Sequence, residues 1–280
     1  MSGADRPVHA HTESHVAVLT LAESASGNRL TPKLISSLKS LLEESSRDPD
    51  VRIIVLRSGG PAFCLGMDLD GVTEAFSRGE TGIDEVRNEI LHYEKLLSLI
   101  HELPKPVVAL VAGEVKAGGM GLVCAADIVL ASETASFCLS EVLFGLIPAN
   151  VLPYLLSLRI TSQKARYLIM TAKLLSSEEA REIGIVDEVI DGSRGEKQVR
   201  ALIKQLLRGA PGALAETKRF LLAAEYEEST ATSLRARARE TLIRLLHSRE
   251  FSEAVEAFGE GFTPGWFARY SPNRDLLEGD

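Results

Sequence analysis

The sequence predicts an α/β fold whose carboxyl-terminal part is helical. Strand and helix signals alternate through the first 190 residues, and a strand–strand–helix unit recurs about every 45–55 residues. From Pro211 to about Phe258 the pattern is helical almost without interruption. We therefore divide the chain into an α/β core over residues 1–205 and a helical segment over residues 206–280. We expect residues 1–14 to form a flexible polar tail.

The strands are predicted from apolar, mostly β-branched runs of strand length that are bounded by turn residues. They lie at residues 16–21, 51–56, 107–111, 127–130, 136–139 and 186–190.

The predicted helices begin and end at recognisable residues. Thr31 is a good N-cap, Pro32 suits the first helical position, and leucines then recur at helical spacing. A longer helix is predicted over residues 83–103. Ser176 to Glu179 has the form of a capped helix start, and Gly184 ends that helix.

Composition narrows the class of function. The 280 residues include 31 basic and 39 acidic ones, and a net charge of −8 argues against nucleic acid or an anionic membrane as the main partner. No apolar run approaches the roughly 18 residues that cross a bilayer, and residues 1–15 contain no apolar segment. We therefore expect a cytoplasmic protein.

Metal and disulfide chemistry is not expected. The three cysteines form no Cys-x-x-Cys pair, and a sparse, odd count fits a reducing compartment. His9, His11 and His15 lie close together, but a polar tail is a better interpretation of them than a metal site.

The most informative stretch is Val107 to Asp127, VVALVAGEVKAGGMGLVCAAD, in which a buried strand runs into glycines that open a helix. Glycine lets the backbone approach a ligand closely, and free N–H groups at a helix start suit an anion or a developing oxyanion. Tight packing of the strand on the helix is an alternative reason for the glycines. The spacing matches neither a P-loop nor a dinucleotide fingerprint.

Two further stretches contain candidate site residues. Residues 63–69, FCLGMDL, follow a strand and a Gly-Pro loop, and again place a glycine where backbone amides can meet a ligand. In residues 135–148, ASFCLSEVLFGLIP, Glu141 stands among apolar residues. A carboxyl in such surroundings is either paired, for example with Arg159, or has a raised pKa that suits proton transfer.

Together the three stretches resemble the crotonase (enoyl-CoA hydratase/isomerase) superfamily over about residues 14–262. The family pattern is Phe-x-x-Gly-x-Asp, then Gly-x-x-x-(Gly)-Gly-Gly, then x-Glu-x-x-x-Gly-x-x-Pro, matched here at residues 63–68, 113–119 and 140–148. The resemblance implies a crotonase-like spiral of ββα units with a C-terminal helical segment that packs in trimers. It also implies an acyl thioester whose carbonyl oxygen lies between the N–H groups of Met67 and Gly118.

The sequence departs from that family at one position. The two glutamates of the hydratases fall on positions 121 and 141, but position 121 is glycine here. The mechanism of the hydratases, in which both glutamates act on a water molecule, is therefore not available here in that form. Gly121 is expected to clear volume and to remove a negative charge, which suits a branched substrate that bears its own carboxylate.

Residues 113–153 are most similar to the dehydratases of polyketide β-branching cassettes. These enzymes remove water from a 3-hydroxy-3-methylglutaryl group on an acyl carrier protein, and a partner decarboxylase then acts on the 3-methylglutaconyl product. The resemblance implies a hydro-lyase that forms a homotrimer or hexamer. It implies no cofactor beyond the phosphopantetheine arm, or the CoA, that the substrate carries.

The resemblance also implies roles for individual residues. Glu141 is expected to transfer protons, and Met67 and Gly118 to form an oxyanion hole. The residues expected to contact substrate are Phe63, Leu65, Asp68, Lys116, Gly119, Gly121 and Cys138.

Three of those residues have alternative roles. Lys116 either binds the substrate's free carboxylate or faces solvent, Cys138 fills the core, and Asp68 caps or braces its loop. Because carrier proteins are usually acidic, we also expect a local basic patch, with Lys218 and Arg219 as candidates.

Other activities remain open from the sequence. They are a Δ3,Δ2-enoyl-CoA isomerase or hydratase, the partner decarboxylase, and a non-catalytic crotonase-like protein that binds RNA or acts as a scaffold. The acidic net charge and the presence of Glu141 argue against the last of these.

Overall fold

A computed structural model describes residues 6–191, 195–209, 211–227 and 231–262. Its strands are β1 (Val8–Glu13), β2 (Val16–Leu21), β3 (Ile53–Ser58), β4 (Ala62–Cys64), β5 (Val107–Val111), β6 (Glu114–Lys116), β7 (Ile128–Ser132), β8 (Ser136–Cys138), β9 (Leu175–Ser176) and β10 (Glu188–Ile190). Its helices are α1 (Pro32–Arg47), α2 (Leu69–Ser77), α3 (Glu80–Glu102), α4 (Gly119–Cys124), α5 (Leu152–Tyr154), α6 (Ser162–Thr171), α7 (Ser177–Ile183), α8 (Gly195–Arg208), α9 (Pro211–Glu227), α10 (Ala231–Leu246) and α11 (Arg249–Gly259). Across these ranges no helix combines the length and the apolar character that a membrane span requires.

The strands form two sheets. The larger sheet has the order β1–β2–β3–β5–β7–β10 and is parallel except for β1, and the smaller has the order β4–β6–β8–β9 and is parallel except for β9. Consecutive strands alternate between the sheets, because β3, β5 and β7 lie in the larger one and β4, β6 and β8 in the smaller one. The predicted α/β fold and its strand–strand–helix repeat are confirmed.

The central strands of the larger sheet are buried on both faces. Ile54 and Leu56 of β3 belong to the main core, with α1, α3 and α4. Ile53 and Val55 belong to a second cluster that α8 covers. Burial on both faces explains why β3 begins with the unbroken apolar run IIVL, a pattern that is typical of a parallel sheet. Each fully buried leucine or isoleucine stabilises the fold by about 1.5–3 kcal/mol.

The predicted helix ends are confirmed by their hydrogen bonds. The Leu34 N–H donates to Oγ1 of Thr31 over 3.1 Å at the start of α1. Ser176 and Glu179 form both hydrogen bonds of a capping box, and Gly184 ends α7 with a φ of 97°.

The expectation of a flexible tail is wrong for Val8–Glu13, which pair with β2 as strand β1. Ser14 and His15 both have positive φ, 49° and 69°, as in the two-residue turn that matches the twist of a hairpin. Every β1 side chain after Val8 is exposed, so no hydrophobic pattern marks this strand. The described residues contain no group of three or more metal-ligating side chains. Residues 1–5 lie outside the described residues.

The carboxyl-terminal helices pack on the α/β part of the same chain. Leu242 and Leu246 of α10 and Phe251 and Val255 of α11 form a small core with α2 and α3. The boundary predicted between residues 205 and 206 falls inside α8, so the division of the chain stays a prediction.

Candidate active site

A cavity of about 290 Å³ lies where the three sequence stretches meet. Its wall is formed by the loop after β4, the turn before α4, the 3₁₀ turn Glu141–Phe144 and α3, and α10 and α11 each contribute one residue. Most of the lining is apolar. The charged side chains in the described lining are Arg29, Glu89, Lys116 and Glu141.

The loop that carries Met67 packs directly on the turn that carries Gly118. The Leu30 N–H donates to the Gly66 carbonyl over 2.8 Å, which holds the loop against the start of α1. Gly66 has a φ of 83°, and a Cβ there would lie 2.9 Å from the Lys116 carbonyl oxygen and 3.0 Å from the Gly118 nitrogen. Only glycine therefore allows the two backbone segments to come this close.

Met67 and Gly118 both line the cavity with free amide groups. Neither N–H donates a hydrogen bond to an acceptor in the described part of the chain. Ala117, just before Gly118, has a left-handed φ of 46°, and its N–H donates to the Cys138 carbonyl over 2.9 Å. A non-glycine residue in this region stores about 1–3 kcal/mol of strain, which is typical of functional turns.

Glu141 brings a carboxyl with one unpaired oxygen to the same cavity. It begins the 3₁₀ turn after β8, and its Oε2 is buried without a hydrogen-bond partner among the described residues. Burial raises the pKa of Glu141 from 4.5 to about 7. Arg159, the possible partner, instead lies 3.1 Å from Asp187 and donates to the Ala126 carbonyl. A carboxyl with an unpaired oxygen and a pKa of about 7 suits proton transfer.

Two of the expected substrate contacts lie in the cavity wall, Leu65 and Lys116. The Lys116 ammonium is 2.7 Å from Oε2 of Glu114, and its side chain is 41% exposed. The expectation for Phe63 is not supported, because this side chain is fully buried in the main core.

The other expected contacts also lie outside the cavity wall formed by the described residues. Gly119 packs against the Cys64 carbonyl, where a Cβ would not fit. Cys138 donates from Sγ to the Ala172 carbonyl over 3.3 Å. Asp68 holds the N-cap position of α2, and its side chain makes no capping hydrogen bond within the described helix.

Gly121 also differs from expectation. It is buried beneath Tyr93, and a Cβ there would press on the Tyr93 hydroxyl and lie 2.8 Å from Cδ1 of Leu97. The glycine therefore clears no volume for substrate, because a phenol fills the space above it.

Among the residues of the cavity wall that sequence reasoning missed, Arg29, Glu89 and Tyr93 bear most on the chemistry. Tyr93 lies on the same helical face as Ile90 and Leu97, so periodicity places it inward, but nothing in the pattern marks it as part of a site. Burial, with the negative charges of neighbouring acidic residues, raises the pKa of Glu89 above its ordinary value.

The expected basic patch is not supported at Lys218. Its ammonium is 2.7 Å from Oδ2 of Asp127, and its side chain is only 11% exposed. Burial lowers the pKa of Lys218. Arg219 is exposed and pairs with Glu216. Lys218 therefore fastens α9 to the core and is not a docking residue.

Comparisons with known proteins agree with this geometry. Residues 11–269 match the family model described as enoyl-CoA hydratase/isomerase. The chain is 33% identical over 211 residues to a Thermus thermophilus protein that carries the name of an enoyl-CoA hydratase, covering 75% of this chain and 82% of that one.

Two comparisons concern a polyketide enzyme of Bacillus subtilis. The chain is 32% identical over 222 residues to the bacillaene synthase dehydratase PksH, covering 78% of this chain and 82% of PksH. The crystal structure of PksH superposes with a TM-score of 0.81 at 27% identity, covering 91% of this chain and 98% of that one.

Proposed function

The chain belongs to the enoyl-CoA hydratase/isomerase family, and we propose that it removes water from 3-hydroxy-3-methylglutaryl carried on an acyl carrier protein. The product is the 3-methylglutaconyl thioester of polyketide β-branching. One observation carries the proposal: the buried carboxyl of Glu141, whose Oε2 has no partner among the described residues, shares a cavity with two backbone N–H groups that donate to no described acceptor. The similarity to a dehydratase of polyketide biosynthesis supports the choice of reaction.

In the proposed mechanism, the N–H groups of Met67 and Gly118 bind the thioester oxygen. The Glu141 carboxylate takes a proton from C2, and the negative charge moves onto the oxygen as an enolate. One such donor typically lowers the barrier by about 2.7–4 kcal/mol.

Glu141 then completes the elimination. As the enolate electrons form the C2=C3 bond, the C3–O bond breaks, and the Glu141 proton goes to the departing hydroxyl to give water. Glu141 returns to the carboxylate form. A single carboxyl serves both steps if the proton and the hydroxyl leave from the same face, which suits a site without a glutamate at position 121.

Arg29 is the cation that we assign to the free carboxylate of the substrate. It lines the cavity, and its Nη1 lies 3.5 Å from the Met67 carbonyl oxygen, beside the proposed thioester site. Lys116, the candidate from sequence, already pairs with Glu114. A guanidinium can bind a carboxylate through two parallel hydrogen bonds, so Arg29 is the better match.

The proposed partners follow from this substrate. They are the acyl carrier protein that presents it, through the phosphopantetheine arm, and the decarboxylase that takes the product. The proposed assembly is a homotrimer or hexamer.

The test is to incubate the protein with 3-hydroxy-3-methylglutaryl carrier protein and to measure the mass of the acyl group. Loss of water supports the proposal. Loss of carbon dioxide from the 3-methylglutaconyl form would identify the decarboxylase instead. No change, together with double-bond migration in an enoyl-CoA, would identify an isomerase.

A further inference from the structure

Tyr93 connects the turn at Gly118 with the glycine at position 121. This residue of α3 is 6% exposed and lines the cavity. Its hydroxyl donates a hydrogen bond to the Gly118 carbonyl oxygen. The bond ties a long, well-packed helix to the residue whose N–H is assigned to the thioester oxygen.

The same hydroxyl occupies the space into which a side chain at position 121 would extend. A Cβ built on Gly121 would be too close to the Tyr93 hydroxyl and 3.2 Å from Cζ of its ring. Leu97 closes the other side, with Cδ1 at 2.8 Å. The Leu97 side chain can move at its tip, but the phenol is held by its hydrogen bond, so the phenol is the stronger obstacle.

The phenol also carries no charge into the site. Burial holds the pKa of Tyr93 well above its ordinary value. It therefore stays neutral, whereas a carboxylate in its place would repel both Glu141 and an anionic acyl group.

We propose that Tyr93 is a positioning residue that holds Gly118 through its carbonyl oxygen and excludes any side chain at position 121. The inference rests on the proposed binding of a thioester oxygen by the Gly118 N–H, but not on the identity of the acyl group. A hydrogen-bond donor stabilises an enolate only when it is correctly aimed, so loosening this turn weakens the stabilisation.

The first test uses acetoacetyl-pantetheine, a β-keto thioester whose enolate absorbs in the ultraviolet. Bound to the wild-type protein, it should ionise at a lower pH than in free solution. Tyr93→Phe keeps the ring but loses the hydrogen bond. We expect the probe bound to this variant to ionise about one pH unit higher than when bound to the wild type, which corresponds to about a tenfold loss of enolate stabilisation. Affinity for the neutral probe at low pH should change less than about twofold, because the ring remains.

Tyr154→Phe is the matched control. It removes another buried tyrosine hydroxyl, 3.2 Å from Oγ of Ser98 and outside the cavity wall. This variant should ionise the probe as the wild type does. Equal ionisation curves for Tyr93→Phe and the wild type would overturn the positioning role. If these equal curves accompanied normal water loss from the proposed substrate, only the Tyr93 inference would fail. If the wild-type protein does not lower the pH at which the probe ionises, the proposed binding of the thioester oxygen by the Gly118 N–H would be refuted as well.

The second test examines the exclusion of side chains at position 121. Gly121→Ala should lower the melting temperature and the enolate stabilisation in the wild type, and lower both much less in a Tyr93→Phe background. Gly212→Ala, on α9 with nothing within 4 Å of the added methyl, is the control glycine. An equal penalty for Gly121→Ala in both backgrounds would overturn the exclusion.

Discussion

Glu141 makes the folded protein sensitive to pH, because its pKa is about 7 in the fold and near 4.5 when exposed. The folded state keeps a proton that the unfolded state has lost over this range, so its stability falls as pH rises from about 4.5 to 7. The effect is about 2–3 kcal/mol.

Glu141→Gln removes this titration. We therefore expect the variant to gain about 2–3 kcal/mol relative to the wild type between about pH 4.5 and pH 8. Denaturant unfolding of both proteins at the two pH values measures the difference in their free energies of unfolding. The other titratable groups are the same in both proteins, so their contributions cancel. Glu188→Gln, at an exposed position, is the control. A constant difference between variant and wild type would show that Glu141 titrates normally.

Arg29 sets the preference for an anionic acyl group in our proposal. We expect Arg29→Gln to raise KM for 3-hydroxy-3-methylglutaryl-pantetheine by about tenfold or more, because one charge-assisted contact is worth about 1.5–3 kcal/mol. KM for 3-hydroxybutyryl-pantetheine, which lacks the carboxylate, should stay nearly constant. Neither pantetheine substrate carries a phosphate that Arg29 could bind. An equal rise in KM for both substrates would therefore mean that Arg29 acts on the fold or on the pantetheine chain.

At the scale of elements, α11 supports the turn that carries Glu141. The Phe258 ring packs edge-on against Phe144 of that turn, with centroids 6.1 Å apart, and lines the cavity. We expect Phe258→Ala to admit water and to lower the pKa of Glu141. The rising limb of the pH dependence of kcat/KM, which reports the base in the free enzyme, should move to lower pH.

Phe262→Ala, at a side chain that is 70% exposed, is the control and should leave the pH profile in place. If Phe258→Ala lowers the rate without moving the midpoint of the profile, α11 does not keep water from Glu141.

A second connection between elements is the ion pair of Lys218 on α9 with Asp127 before β7. The Lys218 side chain is mostly buried while Asp127 is partly exposed, so Lys218→Glu places a second carboxylate beside that of Asp127 and should destabilise the protein by about 1–3 kcal/mol. Arg219→Glu changes an exposed pair and should cost less than about 1 kcal/mol. Denaturant unfolding separates the two cases, and equal small effects would mean that α9 is not fastened through Lys218.

For the molecule as a whole, local signals allowed much of the fold to be predicted. Buried apolar runs predicted the parallel strands β2, β3, β5, β7, β8 and β10 but not the short parallel strands β4 and β6. Thr31, Ser176 and Gly184 predicted helix ends. Strand β1 was missed because its pairing uses backbone groups while its side chains after Val8 stay exposed.

The site was predictable where one stretch of chain carries the chemistry, as for Glu141 and the glycines near Gly118. Contacts between distant parts of the chain were not. Tyr93 meets Gly118 across 25 residues, and Lys218 meets Asp127 across 91. No periodicity encodes such a contact, so the role expected of Gly121 could be corrected only in three dimensions.

The central claim is that Glu141 removes the C2 proton of a thioester held by backbone N–H groups. 3-Methylglutaryl-pantetheine tests it directly, because this analogue can form the enolate but has no hydroxyl to lose. In deuterated water, we expect the wild type to exchange a C2 hydrogen and Glu141→Gln to exchange at least about a hundredfold more slowly. Exchange by Glu141→Gln at the wild-type rate would contradict the account and would make Glu89 the next candidate for the base.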